Sequence, residues 1–238
     1  MKLRGASKLF IGFVMMLAAS VVFLAPLGQA ADSTSKTETA RFSYKLDLVK
    51  VAVEKRADSA RKVREVIKKR LKKLGYLTAK VSLTVNRKEQ RLRVEIPEKL
   101  EYPDEIRELL ARSLVLEFKV KDLKKSSSMK TVWKTTPLQN IYVAKTNISP
   151  GMFGDPNVLI QFTKKGGQIF QKMTAENIGQ PIAIFLDGEL ISSPTVNAEI
   201  TDGQAIIVGA FNLYEAKKLM RDIGMPPLPV STRLIPES

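Results

Sequence analysis

The chain has 238 residues, a formal net charge of +15 at pH 7, and neither histidine nor cysteine. The absence of these two residue types excludes disulfides, Cys or His nucleophile systems, a His general base, and the common zinc and copper sites. Only carboxylates, Lys, Ser, Thr and Tyr are left for chemistry. We expect the chain to hold no metal and no cofactor.

The first 30 residues have the composition of a secretory signal peptide. Basic residues precede an uncharged apolar stretch over 9–24, and small side chains at its end suit cleavage after Ala30. An uncleaved N-terminal membrane anchor is the alternative, although the apolar run is somewhat short for a span of roughly 20 residues. Both interpretations place the remaining chain outside the cytoplasm, with residues 31–41 as a polar linker.

The strong positive charge narrows the class of partner. A basic chain ordinarily indicates nucleic acid, but the export signal argues against that partner. Outside the cytoplasm, the same charge favours anionic lipid headgroups, acidic wall polymers or acidic protein partners. A solvated basic surface that serves only solubility is the structural alternative, and the sequence leaves it open.

Residues 42–120 predict a first unit that contains both strands and helices. Apolar residues alternate along some of its segments, as in half-buried strands, and recur at helical spacing along others. The predicted elements are a strand from Phe42 to Leu48, a helix from Asp58 to Leu74, strands over 80–85 and 92–96, a helix over 104–112 and a strand over 114–118. This order favours an α+β, ferredoxin-like arrangement with the helices on one face of an antiparallel sheet.

The helix from Asp58 to Leu74 is predicted to carry a basic outer face. Its apolar residues fall on one side, and most of its Lys residues lie on the rest. Arg70 is the exception, because it falls inside the apolar stripe. Two explanations stay open: its guanidinium extends past the rim of the core, or it pairs with a carboxylate on a neighbouring strand. The candidate binding residues of the basic face are Arg61, Lys68, Lys69, Lys72 and Lys73.

Residues 121–137 predict a polar linker, and residues 138–225 predict a second α+β unit. Its clearest element is a hairpin. Asp187-Gly188 stands between two apolar runs, and a two-residue turn needs positive φ at both central positions. The helix over 164–177 precedes this hairpin, and Thr163 is its expected N-cap.

A loop between Gly151 and Gly154 holds the second group of candidate binding residues, Met152 and Phe153. An exposed apolar pair at a glycine-hinged loop tip is typical of an element that contacts peptide or membrane. Burial of both side chains beneath the loop is the competing interpretation, and the sequence leaves the two open.

The second unit carries a family resemblance. An ordered set of short motifs resembles the head subdomain of the large extracytoplasmic domain of the protein translocase subunit SecD and of fused SecDF. The motifs are Thr163-x-x-Gly166, Glu176-Asn177-Ile178-Gly179, Leu186-Asp187-Gly188, Ile191-Ser192 and Pro194. Further motifs are similar to the membrane-proximal base of that domain, namely Arg93 to Pro97, Leu116-Glu117-Phe118 and Pro227 to Val230.

The resemblance implies a non-enzymatic, two-lobed module outside the cytoplasmic membrane. It implies a base, an inserted or following head over 138–225, and a return segment over 226–238. The family's transmembrane helices have no counterpart in these residues, so none of its intramembrane acidic residues is carried over. The implied partners are unfolded or emerging polypeptide and membrane translocase subunits. Strand addition at an exposed sheet edge is a suitable binding mode.

Two other classes of function remain as alternatives. In the first, a basic envelope-surface module uses its helix face to hold anionic lipid or wall polymer in a structural role. In the second, the protein is an enzyme, and its obvious carboxylates are Glu95, Glu117, Asp187 and Glu189. Nothing in the sequence brings any two of these carboxylates together, which disfavours the enzyme.

Overall fold

The computed structural model describes residues 39–85, 90–127, 130–151 and 154–236. The predicted signal peptide over 1–30 and the loop pair Met152 and Phe153 lie outside the described residues. The elements in chain order are β1 (Ala40–Leu46), α1 (Val53–Lys73), β2 (Lys80–Val85), β3 (Gln90–Ile96), α2 (Pro103–Ala111), β4 (Leu116–Lys121), β5 (Trp133–Gln139), a 3-10 turn (Asn140–Tyr142), β6 (Val143–Pro150), β7 (Pro156–Phe162), α3 (Lys164–Ala175), β8 (Ile182–Leu186), β9 (Glu189–Ser192), β10 (Gln204–Ile207), α4 (Leu213–Gly224) and β11 (Thr232–Ile235).

A first lobe forms around the antiparallel sheet β11-β1-β3-β2. The two helices α1 and α2 bury their apolar residues in the same core as the inner strands of this sheet. That core includes Tyr44 and Leu92 from the sheet, Ile67 and Leu71 from α1, and Leu110 from α2. The spacing of 67 and 71 places both side chains on one face of α1, which is the face that the sequence pattern predicts.

Helix α1 begins earlier than its sequence indicated. It starts at Val53, and no side chain caps its first turn. Asp58 is therefore not an N-cap: it lies inside the helix, where its carboxylate pairs with Lys62 at 2.8 Å. The prediction failed because an i,i+4 acid–base pair and a capping carboxylate look alike when only local sequence is considered.

The fourth strand of the first sheet comes from the far end of the chain. The sequence analysis assigned that position to residues 114–118, but β4 pairs with β5 and β8 instead. The position beside β1 is taken by β11, with Leu234 opposite Tyr44. Leu116 and Phe118 point into the core of the second lobe, which explains why β4 belongs there. The α+β class is confirmed and the ferredoxin-like label stays a prediction, but the placement of residues 114–118 in the first sheet is wrong.

The second lobe contains two antiparallel sheets, β5-β4-β8-β9 and β10-β7-β6, which share one apolar core with α3 and α4. Phe118 from the first of these sheets meets Phe162 and Phe170 edge to face, with ring centroids 5.7 and 6.2 Å apart. The predicted linker over 121–137 is wrong at its end, because β5 begins at Trp133. The Trp133 ring packs against Phe185 at 6.2 Å between centroids.

The local signals around the hairpin are confirmed. Asp187 and Gly188 have φ values of 55° and 83°, so both central residues of the turn adopt the left-handed conformation that the Asp-Gly pair predicts. Thr163 caps α3, since its hydroxyl accepts a hydrogen bond from the amide of Gly166 at 3.2 Å. Among the described residues, every helix is too short or too polar to cross a membrane.

Candidate functional site

Arg70 lies completely inside the molecule, where α1 meets the end of α2 and the segment after α4. Its side chain is 0% exposed. Nη1 donates to the carbonyl oxygens of Leu109, Leu110 and Arg112 at 2.9, 3.3 and 2.7 Å. Nη2 donates to Ser113 at 3.1 Å, and both Nε and Nη2 donate to Pro226, at 2.9 and 2.8 Å.

These contacts close the carboxyl end of α2, whose last carbonyl groups have no partner within the helix and carry the negative end of its dipole. Burial lowers the pKa of Arg70 to about 10, and the nearby carboxylates of Asp187 and Asp222 oppose that shift. The guanidinium is therefore charged at neutral pH. Both sequence-based explanations of Arg70 are wrong, because the side chain does not reach the rim and its hydrogen bonds go to backbone carbonyls.

A chain of ion pairs continues from this point across the boundary between the lobes. Arg112, just after α2, pairs with Asp222 of α4 and lies 3.3 Å from Asp187 in the hairpin turn. Arg221 contacts Asp222 at 3.2 Å and Glu105 of α2 at 2.6 Å. The carboxylate of Asp222 is only 3% exposed. These pairs tie α2, α4 and the β8–β9 turn together.

The arrangement of these carboxylates is structural. Each of them faces an arginine, and Asp187 also accepts the amide of Val115 at 2.9 Å. Of the other carboxylates considered in the sequence, Glu117 pairs with Lys119 at 3.1 Å. Within the described ranges, no cluster of three or more acidic side chains could hold a metal ion. Local sequence patterns do not reveal this network, because the residues that it pairs are separated by up to 116 positions.

A first open space, which we call the junction cleft, lies between the lobes. Its volume is about 740 Å³, and it is bounded by the end of α1, by residues 143–146 of β6 and by residues 223–227. Three of the five predicted basic residues of α1 line it, namely Lys69, Lys72 and Lys73. Lys73 also donates from Nζ to the carbonyl oxygen of Gly224 at 2.6 Å.

The other two predicted residues of the basic face lie elsewhere. Arg61 and Lys68 are exposed on α1 but do not line the junction cleft, and Lys68 lies 3.6 Å from the carboxylate of Glu65. A fourth lysine, Lys145 of β6, joins the three at the cleft. Lys145 could not be predicted from local sequence, because it stands more than 70 positions from α1 and comes near it only in the folded chain.

A second open space, which we call the head groove, lies within the second lobe and has a volume of about 500 Å³. Its floor is apolar and includes Phe118, Phe170 and Ile184. Its rim is formed by residues 194–200 and by β10, where Ile206 is 49% exposed. The sequence analysis did not predict this groove, because β10 and β8 belong to different sheets that only the fold brings near each other.

Buried Thr174 holds the rim of the head groove in place. Its hydroxyl donates to the carbonyl oxygen of Gln171 at 2.9 Å and accepts the amide of Ile200 at 3.0 Å. A second contact, from the amide of Gly179 to the carbonyl oxygen of Val196 at 2.8 Å, anchors the same segment at its other end. The rim is therefore a defined backbone that lies over an apolar floor.

Comparisons with known proteins agree with this architecture. A family model described as SecDF, P1 head subdomain, matches residues 119–230. The protein translocase subunit SecD of Leptotrichia buccalis is 32% identical over 179 residues, which is 75% of this chain and 42% of the relative. SecD of Sebaldella termitidis is 27% identical over 237 residues, which is 99% of this chain and 54% of the relative. The chain thus spans about half the length of these curated relatives.

Solved structures show the same fold. A crystal structure of SecDF in a super-membrane-facing form is similar with a TM-score of 0.65 and 25% identity, over 82% of this chain and 29% of that chain. A structure of SecDF, described as a membrane component that enhances protein export, is similar with a TM-score of 0.66 and 24% identity. That similarity covers 84% of this chain and 99% of the other.

The two-lobed fold is similar to a module that SecD and SecDF proteins carry. The evidence for this similarity is the match of the second lobe to the P1 head subdomain together with the fold shared over both lobes. Residues 119–230 match the P1 head subdomain of SecDF, and 75% of the chain is similar to part of a SecD protein. These comparisons favour protein translocation over the alternative of a structural surface module.

Proposed function

We propose that this protein acts outside the cytoplasm in protein export, without enzymatic activity, by binding unfolded or emerging polypeptide or a component of the membrane translocase. The observation that carries the proposal is the head groove, which lies in the part of the chain that matches the P1 head subdomain. The similarity to SecD and SecDF proteins supports the export context, and the groove supplies a surface on which an extended chain can lie.

The head groove suits an extended segment with apolar side chains. Its floor is built from aromatic and aliphatic residues, and its rim is polar and includes the exposed residues Glu199 and Asp202. Strand β10 forms one edge of its sheet and pairs only with β7 among the described residues. An unfolded segment can therefore place alternate apolar side chains over the floor while its backbone pairs with β10.

Two exposed aliphatic residues give a matched test. Ile206 lines the head groove, whereas Val208, which is 61% exposed and follows β10, does not. We expect Ile206→Glu to weaken the binding of an uncharged, labelled peptide with alternating Leu and Ser by about tenfold, because a carboxylate at the groove must be desolvated. Val208→Glu adds the same charge two residues away and leaves the affinity within about twofold.

The measurement is fluorescence anisotropy with the purified full-length chain. No binding by the unmodified protein at tens of micromolar peptide argues against the proposal. An equal loss in the two variants also contradicts it, because the effect would then come from net charge rather than from occupation of the groove.

A further inference from the structure

The free edge of β6 runs along the junction cleft. Strand β6 has eight residues, none of them buried, and it pairs only with β7 among the described residues. Four consecutive residues, 143–146, line the cleft. The strand is irregular between Val143 and Lys145, and its edge away from β7 has no strand partner among the described residues. The cleft therefore contains unpaired backbone donors and acceptors.

The opposite wall of the junction cleft is positively charged. Lys69, Lys72 and Lys73 follow one another at helical spacing, so their side chains project from one face of α1. Lys145 adds a fourth ammonium group from β6 itself. The described residues that line the cleft include no carboxylate. Of the four lysines, Lys73 donates a hydrogen bond to the carbonyl oxygen of Gly224. The remaining lysines are available for an incoming anion.

The floor between these two walls is apolar. It consists mainly of Ile141, which is 69% exposed, and of the stretch from Ile223 to Pro227. A free strand edge, an apolar floor and a lysine wall in one cleft match an extended polypeptide in which acidic side chains alternate with aliphatic ones. The backbone of such a segment pairs with β6, one set of side chains covers the floor, and the other faces the lysines.

We propose that the junction cleft binds an extended, acidic segment of another polypeptide as an added strand on β6. The proposal goes beyond the function proposed for the head groove, because it concerns a different cleft and a segment with acidic side chains. A second copy of this chain is disfavoured as the occupant, since the protein carries a net charge of +15. The charge of Lys145 on this strand discourages pairing with another basic edge but not with an acidic one.

The direct test uses a labelled ten-residue peptide of alternating Glu and Val and the full-length protein. We expect the double variant Lys69→Gln/Lys72→Gln to weaken binding about fivefold, since two partly exposed ion pairs are lost. The matched control is Arg61→Gln/Lys68→Gln, which removes the same charge from the same helix outside the cleft and leaves the affinity within about twofold. Equal weakening by both double variants overturns the proposal.

Strand addition is tested separately from charge. The same peptide with alternate backbone nitrogens methylated keeps its carboxylates but loses its hydrogen-bond donors, and we expect it to bind at least about tenfold more weakly. Hydrogen exchange of the amides of residues 143–148 should slow when the unmethylated peptide binds. Equal affinity of the methylated peptide, or protection of these amides by anionic lipid vesicles and not by peptide, contradicts the proposal. The head-groove variant Ile206→Glu should bind the acidic peptide normally, so the two proposals fail independently.

Discussion

Replacement of Arg70 by Met tests how the two lobes are held together. Met has a similar length and suits an apolar site, so the variant removes the guanidinium without leaving a large cavity. It also removes all the side-chain donors that Arg70 supplies to five carbonyl oxygens, although the oxygen of Ser113 keeps the amide of Leu228 at 2.9 Å. The carboxyl end of α2 then loses the charge that balances its dipole.

The size of the effect depends on which carbonyl groups water can reach. Arg112 and Ser113 are partly exposed, so water can replace the lost hydrogen bonds there. Leu109 and Leu110 are 2% and 0% exposed, and their carbonyl groups stay dry. A buried acceptor without a partner costs about 1–3 kcal/mol, so the two together lower the free energy of unfolding by about 2–6 kcal/mol. That loss is a large share of the total of about 5–15 kcal/mol typical of a domain.

Urea unfolding, followed by circular dichroism, measures the effect, and the fluorescence of Trp133 reports separately on the second lobe. The control is Arg64→Met on the same helix, where the side chain is partly exposed and pairs with Glu65 at 3.1 Å. We expect the free energy of unfolding of that variant to lie within about 0.5 kcal/mol of the value for the unmodified protein. If Arg70→Met lowers the free energy of unfolding by less than about 1 kcal/mol, the prediction is refuted. Water would then reach the carbonyl groups of Leu109 and Leu110, or the end of α2 would move to satisfy them.

Two further predictions concern buried polar groups. Asp222→Asn should lower the free energy of unfolding by about 2 kcal/mol, because the neutral side chain no longer compensates the charges of Arg112 and Arg221. The loss is limited because each arginine keeps another acidic partner. A loss below about 0.5 kcal/mol in urea unfolding contradicts this prediction. Burial raises the pKa of Tyr44 above its ordinary value, while Arg107 opposes the shift. The folded state therefore retains a proton that the unfolded state releases, and its stability falls as the pH rises above about 10. Tyr44→Phe removes the hydrogen bond to the carbonyl oxygen of Arg107 and should lower the free energy of unfolding by about 1 kcal/mol at neutral pH. Between pH 9 and 11 this variant should lose less stability than the unmodified protein. Parallel pH profiles of the two proteins would contradict the role given to Tyr44.

Features that depend on neighbouring residues could be predicted from the sequence. The hairpin at Asp187-Gly188 follows from the positive φ that both turn positions require, and the cap of α3 follows from Thr163 and its reach to Gly166. The apolar stripe of α1 and its exposed lysines follow from helical periodicity alone. The resemblance to the SecD extracytoplasmic domain also rested on such short motifs, and the family match over 119–230 confirms it.

Other features required the folded chain, because they join residues that the sequence keeps far apart. The resemblance implied a return segment over 226–238, but only the sheet showed that its strand β11 pairs with β1 near the other end of the chain. Arg70 was recognised as unusual in an apolar stripe, but its acceptors stand 39 to 156 positions away. The junction cleft has the same origin. Local periodicity determines which lysines of α1 face outward, whereas only the packing of the lobes decides which of them face the edge of β6, since long-range contacts depend on the topology that brings the elements together.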